Sequence, residues 1–170
     1  MWQKLSLFAV LCSTILVVGA TREEDAKKFA GQLKHKDAKM RLGALDELKK
    51  LGAAQRRLTE PYTSDIANCL KDSDARVRGA AAETLSHIDP KDQKEAMTQL
   101  VTALKAEKEE AARIGMVNAI GELGALTSDA DLKKTARTTL MELRQKSESK
   151  REQRAIQTAM QMIMPKKKKN

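Results

Sequence analysis

The chain has 170 residues, of which 32% are charged, 41% hydrophobic and only 2% aromatic, with a formal net charge of +9. So few aromatic side chains exclude a stacking platform for single-stranded nucleic acid, and no specific nucleic-acid binding is expected. Two cysteines, Cys12 and Cys69, are too few for the disulfide framework on which small secreted domains lean.

Residues 1–20 form a segment of their own. Lys4 supplies a positive start, residues 5–18 are apolar apart from Ser6, Ser13 and Thr14, and Val18-Gly19-Ala20 follows. This is the layout of a secretory signal peptide cleaved after Ala20. The alternative is a membrane anchor formed by residues 5–20, a short run against the roughly 20 apolar residues a span requires. Leu11 is too bulky to precede a lipid-modified Cys12. Cleavage removes Lys4 and leaves a net charge of +8, half of it in Lys166 to Lys169. Export to the periplasm or outside the cell is the expected destination. With Cys69 then alone, helix packing must hold the fold. A chain of about 150 residues buries roughly 70% of its unfolded surface, so residues 21–164 are expected to form one domain.

Beyond residue 20, apolar residues recur at steps of three and four, and alternating β-branched runs are missing. All elements therefore read as helices. Ala26, Phe29, Ala30 and Leu33 mark the first, and Met40, Ala44, Leu45, Leu48 and Leu51 the second. Pro61 suits the first turn of the next helix, which carries Ile66, Ala67, Cys69 and Leu70. Val77, Ala81, Ala82, Leu85 and Ile88 follow, then Ala96, Met97, Leu100 and Leu104, then Ala112, Met116, Val117, Ile120 and Leu123. Gly52 and Gly124 are expected to end two of these helices, and Asp89-Pro90 a third. A less regular fourth pair uses Leu132, Ala136, Leu140 and Leu143, then Ile156, Ala159 and Ile163, with Ser149 as the cap of its last helix. Met160, Met162 and Met164 are expected to face the core of that helix, the alternative being an adaptable partner surface.

These helices repeat. The segments beginning at Met40, Val77 and Ala112 superpose at offsets of 37 and 35 residues. Such a period means stacked units, none able to bury its apolar face alone. Within the repeat, Arg41, Arg78 and Arg113 each follow an acidic residue, Asp37, Asp74 or Glu109, by four positions. This reads as a structural ladder in which each guanidinium forks onto a carboxylate at the turn of its own or the next unit. The competing reading is an anion-binding stripe. An offset of 39 residues places Glu152 at the arginine position of the fourth unit.

The run from Leu70 to Leu85, with its acidic turn Asp72-Ser73-Asp74, Val77-Arg78, small residues and Glu83-Thr84-Leu85, resembles a HEAT repeat of the bacterial, phycobilin-lyase-like kind. The first unit matches through Asp37, Arg41, Glu47 and Leu48, and the third through Glu109, Arg113 and Ile120, with Ala112 in place of the valine. The resemblance implies an all-α fold, a short right-handed α-solenoid of about four HEAT-like helix pairs whose second helices line a concave face that binds another protein. Lys39, Asp46, Lys50, Arg76, Glu83, Ser86, Asn118 and Glu122 are the candidate contacts on that face. The implied function is a non-catalytic scaffold exported from a bacterial cytoplasm and expected to be a monomer. A HEAT-type chromophore lyase and a membrane-tethered envelope scaffold are the alternatives.

No acid–base pair, nucleophile or glycine-rich phosphate loop stands out. His35 and His87 lack partners at metal-ligand spacing, so neither metal nor cofactor is expected. Cys69 reads as a core residue. Gly43, Gly79 and Gly115 read as points of close helix packing. Lys166 to Lys169 read as a solvated tail, with weak contact to anionic surfaces as its one candidate role.

Overall fold

The computed structural model describes residues 21–88 and 90–164. The expected leader, residue 89 and the lysine tail lie outside the described residues. Within them every regular element is helical. Helix α1 occupies residues 21–32. It is followed by α2 (Ala38–Ala54), α3 (Thr63–Asn68), α4 (Ala75–His87), α5 (Gln93–Ala106), α6 (Glu110–Leu126), α7 (Ala130–Lys146) and α8 (Lys150–Ile163). These are four helix pairs stacked in chain order, an all-α solenoid. Pro61 lies in a short 3₁₀ turn, Glu60–Tyr62, that leads into α3.

The starts of the helices follow from their caps. Asp37, Asp74, Asp92 and Asp129 each accept a backbone N–H from the first turn of the helix they precede, at 2.9, 2.8, 2.9 and 2.8 Å respectively. Ser149 does the same for α8 at 3.2 Å. Each such cap satisfies donors that the helix itself leaves free. At the other end of the last pair, Arg137 donates to Ile163 O at 3.0 Å, placing a cation at the negative end of α8.

Gly52 and Gly124 do not end helices. Both lie inside the last turn, Gly52 in α2 and Gly124 in α6. They are there for space. A Cβ on Gly52 would stand 2.5 Å from Ile88 Cγ2, and one on Gly124 would stand 2.9 Å from Ala136 Cβ. Gly79 and Gly115 meet across α4 and α6, where a Cβ on Gly115 would lie 3.2 Å from Gly79 O. Gly43 departs from this pattern, because nothing lies within 4 Å of its Cβ position.

Each unit supplies fully buried side chains to one continuous core, among them Leu45, Leu85, Leu100, Ile120, Leu140 and Ile156. Burying each contributes about 1.5–3 kcal/mol. The second helices pack on one another, α2 on α4, α4 on α6 and α6 on α8, far more extensively than α5 packs on α7. The first helices splay, which leaves a groove of about 750 Å³ between the α3 turn and α5. The methionine stripe of α8 is not core. Met160 is partly buried, but Met162 and Met164 are 45% and 52% exposed. Among the described residues, no helix is long and apolar enough to cross a membrane.

Candidate interaction face and the arginine ladder

Arg41, Arg78 and Arg113 all lie in the first turns of second helices, and each reaches forward to the next unit. Arg41 donates from Nε and Nη2 to Asp72 at 2.7 and 2.6 Å. Arg78 forks onto Glu107 at 2.5 and 2.8 Å. Arg113 Nε donates to Glu152 at 2.7 Å. The Nη1 group of each turns back to carbonyls of its own turn: His35 and Lys36 for Arg41, Asp72 and Ser73 for Arg78, Leu104 and Glu107 for Arg113. A guanidinium satisfied on both sides ties one turn to the next.

The ladder exists, but its carboxylates are not Asp37, Asp74 and Glu109. Asp37 and Asp74 are engaged as N-caps, Asp74 also pairing with Arg76 at 2.6 Å, and Glu109 occupies the N-cap position of α6 without a side-chain bond. The acids that accept the arginines stand two residues earlier in the turn, at Asp72 and Glu107. Both also hold the N-cap N–H, Asp72 that of Asp74 at 2.9 Å and Glu107 that of Glu109 at 3.0 Å. His35 takes this place in the first turn, where no earlier arginine reaches it. Its Nδ1 accepts Asp37 N–H at 3.0 Å.

The fourth unit shows how the ladder ends. Counted from the cap Ser149, its arginine position is Gln153, not Glu152. Gln153 Nε2 donates to Ser147 O at 2.7 Å, the bond made by Arg78 to Asp72 O and by Arg113 to Glu107 O. Glu152 instead receives Arg113 and the Ser147 hydroxyl. Gln153 keeps the contact within the turn and carries no charge.

The environment of these groups follows from the pairing. The fork from Arg78 outweighs burial and holds the Glu107 carboxyl down at about 2, with the N–H groups of Glu109 and Lys108 adding to it. Burial pushes Asp72 upward. The Arg41 fork, the Asp74 N–H and the Arg41 charge together overcome it, leaving the carboxyl below its ordinary value. Burial raises the Cys69 thiol to about 11, in keeping with its 6% exposure and its bond to Asp65 O. The core reading of Cys69 therefore holds.

Helical spacing puts positions 2, 6, 9 and 13 after each cap on one face. In the four second helices they are Lys39, Gly43, Asp46 and Lys50; then Arg76, Ala80, Glu83 and His87; then Ala111, Gly115, Asn118 and Glu122; then Arg151, Ala155, Thr158 and Met162. Lys39, Asp46, Lys50, Arg76 and Glu83 are exposed, as expected, while Asn118 and Glu122 are half-buried. Ser86 does not belong to this face. It is 1% exposed and points along the stack, its hydroxyl 2.5 Å from Glu122 Oε2. His87, Arg151 and Met162 share the face and were recognisable only once the caps aligned the units.

Along this face, charges are paired across and within helices. Lys49 beside it bridges to Glu83 at 2.9 Å, and Lys50 to Asp46 and Glu47 at 2.8 Å. The Lys50 hydrogen bond holds the Asp46 carboxyl below its ordinary value. Among the described residues, no group of three His, Cys, Asp or Glu side chains is placed to hold a metal ion. No protein-family model and no curated protein matches the chain.

Proposed function

We propose that the chain is a non-catalytic protein-interaction module of the HEAT-repeat kind, exported from a bacterial cytoplasm, which binds a partner protein on the face of its second helices. The observation that carries this reading is the set of four aligned rows, one from each second helix, held in fixed register by the arginine ladder. Positions 2 and 9 of the first two units present Lys39, Arg76, Asp46 and Glu83 to solvent. A rigid frame with an alternating charge pattern gives specificity through complementarity rather than through apolar area. Between the charged residues of the first unit, Gly43 leaves open space above the backbone.

Two measurements test this reading. Capture from the native envelope with the parent chain and with an Arg76→Glu, Glu83→Lys variant of unchanged melting temperature is expected to recover one partner with the parent and to lose it with the variant. Equal recovery by both rejects the face. N-terminal sequencing of the isolated protein is expected to start at Thr21, whereas retention of residues 1–20 favours the tethered scaffold.

A further inference from the structure

Both end pairs of the stack carry more basic than acidic residues. Residues 21–54 contain nine basic and six acidic residues, residues 130–164 contain eight basic and four acidic ones, and Lys166 to Lys169 follow in the sequence.

The positions that carry this charge matter more than its amount. Positions 1, 5, 8 and 12 after each cap face the next unit. They read Ala38, Leu42, Leu45 and Lys49 in α2, then Ala75, Gly79, Ala82 and Ser86 in α4, then Glu110, Ile114, Val117 and Gly121 in α6. Contacts along the stack confirm the direction: Gly79 faces Ala112, and Gly121 faces Ala159. In α8 the same four positions are Lys150, Arg154, Gln157 and Gln161, all exposed. Arg144 of α7 joins Lys150, Gln153, Arg154 and Gln157 around an open notch of about 430 Å³ on this end. Arg113 takes the nearby Glu152, and Arg151 reaches Glu110 at 3.5 Å. Among the described residues, no carboxylate lies within ion-pair distance of Arg144, Lys150 or Arg154.

A terminal repeat needs only a polar outer face to stay soluble, and mixed charges would serve. This end uses cations. We propose that the end face formed by Arg144, Lys150 and Arg154 docks the solenoid onto an anionic phospholipid surface, with the partner-binding face directed along the membrane. A protein partner is disfavoured here because the strip of Lys, Arg and glutamines offers no aromatic or aliphatic anchor around which an interface is built. A bilayer requires no such anchor. Its negative surface potential acts on cations within a Debye length, each contributing about fivefold in affinity.

The test uses the full chain with vesicles of phosphatidylcholine alone and of phosphatidylcholine mixed with phosphatidylglycerol. Binding to neutral vesicles reports any contribution of the apolar residues 5–20, and the difference between the two vesicles reports the charge. The proposal predicts tighter binding to the mixed vesicles that weakens as salt is raised. Arg144→Gln, Lys150→Gln, Arg154→Gln together should lower that binding about a hundredfold, leaving the neutral-vesicle signal and the melting temperature unchanged. The charge-keeping variant Arg144→Lys, Arg154→Lys should retain most of it. Deleting residues 166–170 should weaken binding without abolishing the effect of the triple substitution. The proposal is overturned if the triple variant binds mixed vesicles as the parent does, which would leave the face a solubilising cap. It is also overturned if the parent ignores phosphatidylglycerol, or binds polyglutamate or duplex DNA in preference to the vesicles.

Discussion

At the scale of single residues, stability rests on carboxylates and guanidiniums that satisfy one another between turns. Glu107 is the clearest case. Its side chain is 2% exposed and its carboxyl is held at about 2 against an ordinary 4.5. A carboxyl lowered by folding stabilises the protein fully above its unfolded value and loses that contribution as pH falls toward its folded value. About 3 kcal/mol should therefore disappear between roughly pH 4.5 and pH 2. In urea titrations at a series of pH values, Glu107→Gln should unfold more easily than the parent at neutral pH and show a shallower loss across that window. An unchanged acid slope would mean that Glu107 does not form its pair in solution. The arginines of the ladder were legible in the sequence because they recur. Their partners were not, because two of the turns carry two acids two residues apart, Asp72 with Asp74 and Glu107 with Glu109. Local spacing favours the second of each. In the first of these turns backbone geometry decides otherwise, since the first N–H groups of α4 claim the cap Asp74 and leave Asp72 for Arg41.

At the scale of elements, the second helices approach through glycines, and the sequence showed where glycine occurs without showing what it faces. Gly43 and Gly121 both sit inside helices, yet their surroundings are opposite. A Cβ on Gly121 would meet Ala159 Cβ at 2.6 Å and Cα at 2.8 Å, whereas one on Gly43 meets nothing within 4 Å. Gly121→Ala should drive α8 away from α6 and cost about 1–3 kcal/mol. Gly43→Ala should raise stability by about 0.5–1 kcal/mol by restricting the unfolded chain and favouring helix. Thermal unfolding of the two variants beside the parent separates the cases, and destabilisation by Gly43→Ala would show that the open space is filled in solution. The helix pairs themselves were readable from three- and four-residue periodicity, including the fourth, whose helices are as regular as the others. The assignment of Gly52 and Gly124 as helix ends failed because a glycine near a helix end serves close packing as readily as it serves termination. The register of the last unit was misread by one residue, since only the cap Ser149 fixes that Gln153 takes the arginine's place.

At the scale of the whole molecule, the fold is a short stack with one patterned face on its second helices and a cationic face at the end formed by α8. The repeat period and apolar spacing made the architecture legible. The face was partly legible, through Lys39, Asp46, Lys50, Arg76 and Glu83, and Ser86 was misplaced because it differs from the outward His87 by a single helical step. The cationic end was hidden because its meaning depends on which positions face a following unit. Each arginine reaches the next turn, a polar link between units beside the continuous apolar core. A double-mutant cycle on Arg78→Ala and Glu107→Gln, followed by urea unfolding at neutral pH, measures the link directly. Arg78→Ala alone should cost about 3 kcal/mol, because it leaves a buried carboxylate without its partner. The cycle should return a coupling of about 1–3 kcal/mol, with both single variants unfolding in one transition. A coupling near zero, with the two losses simply additive, would contradict the ladder as the element that holds the units in register.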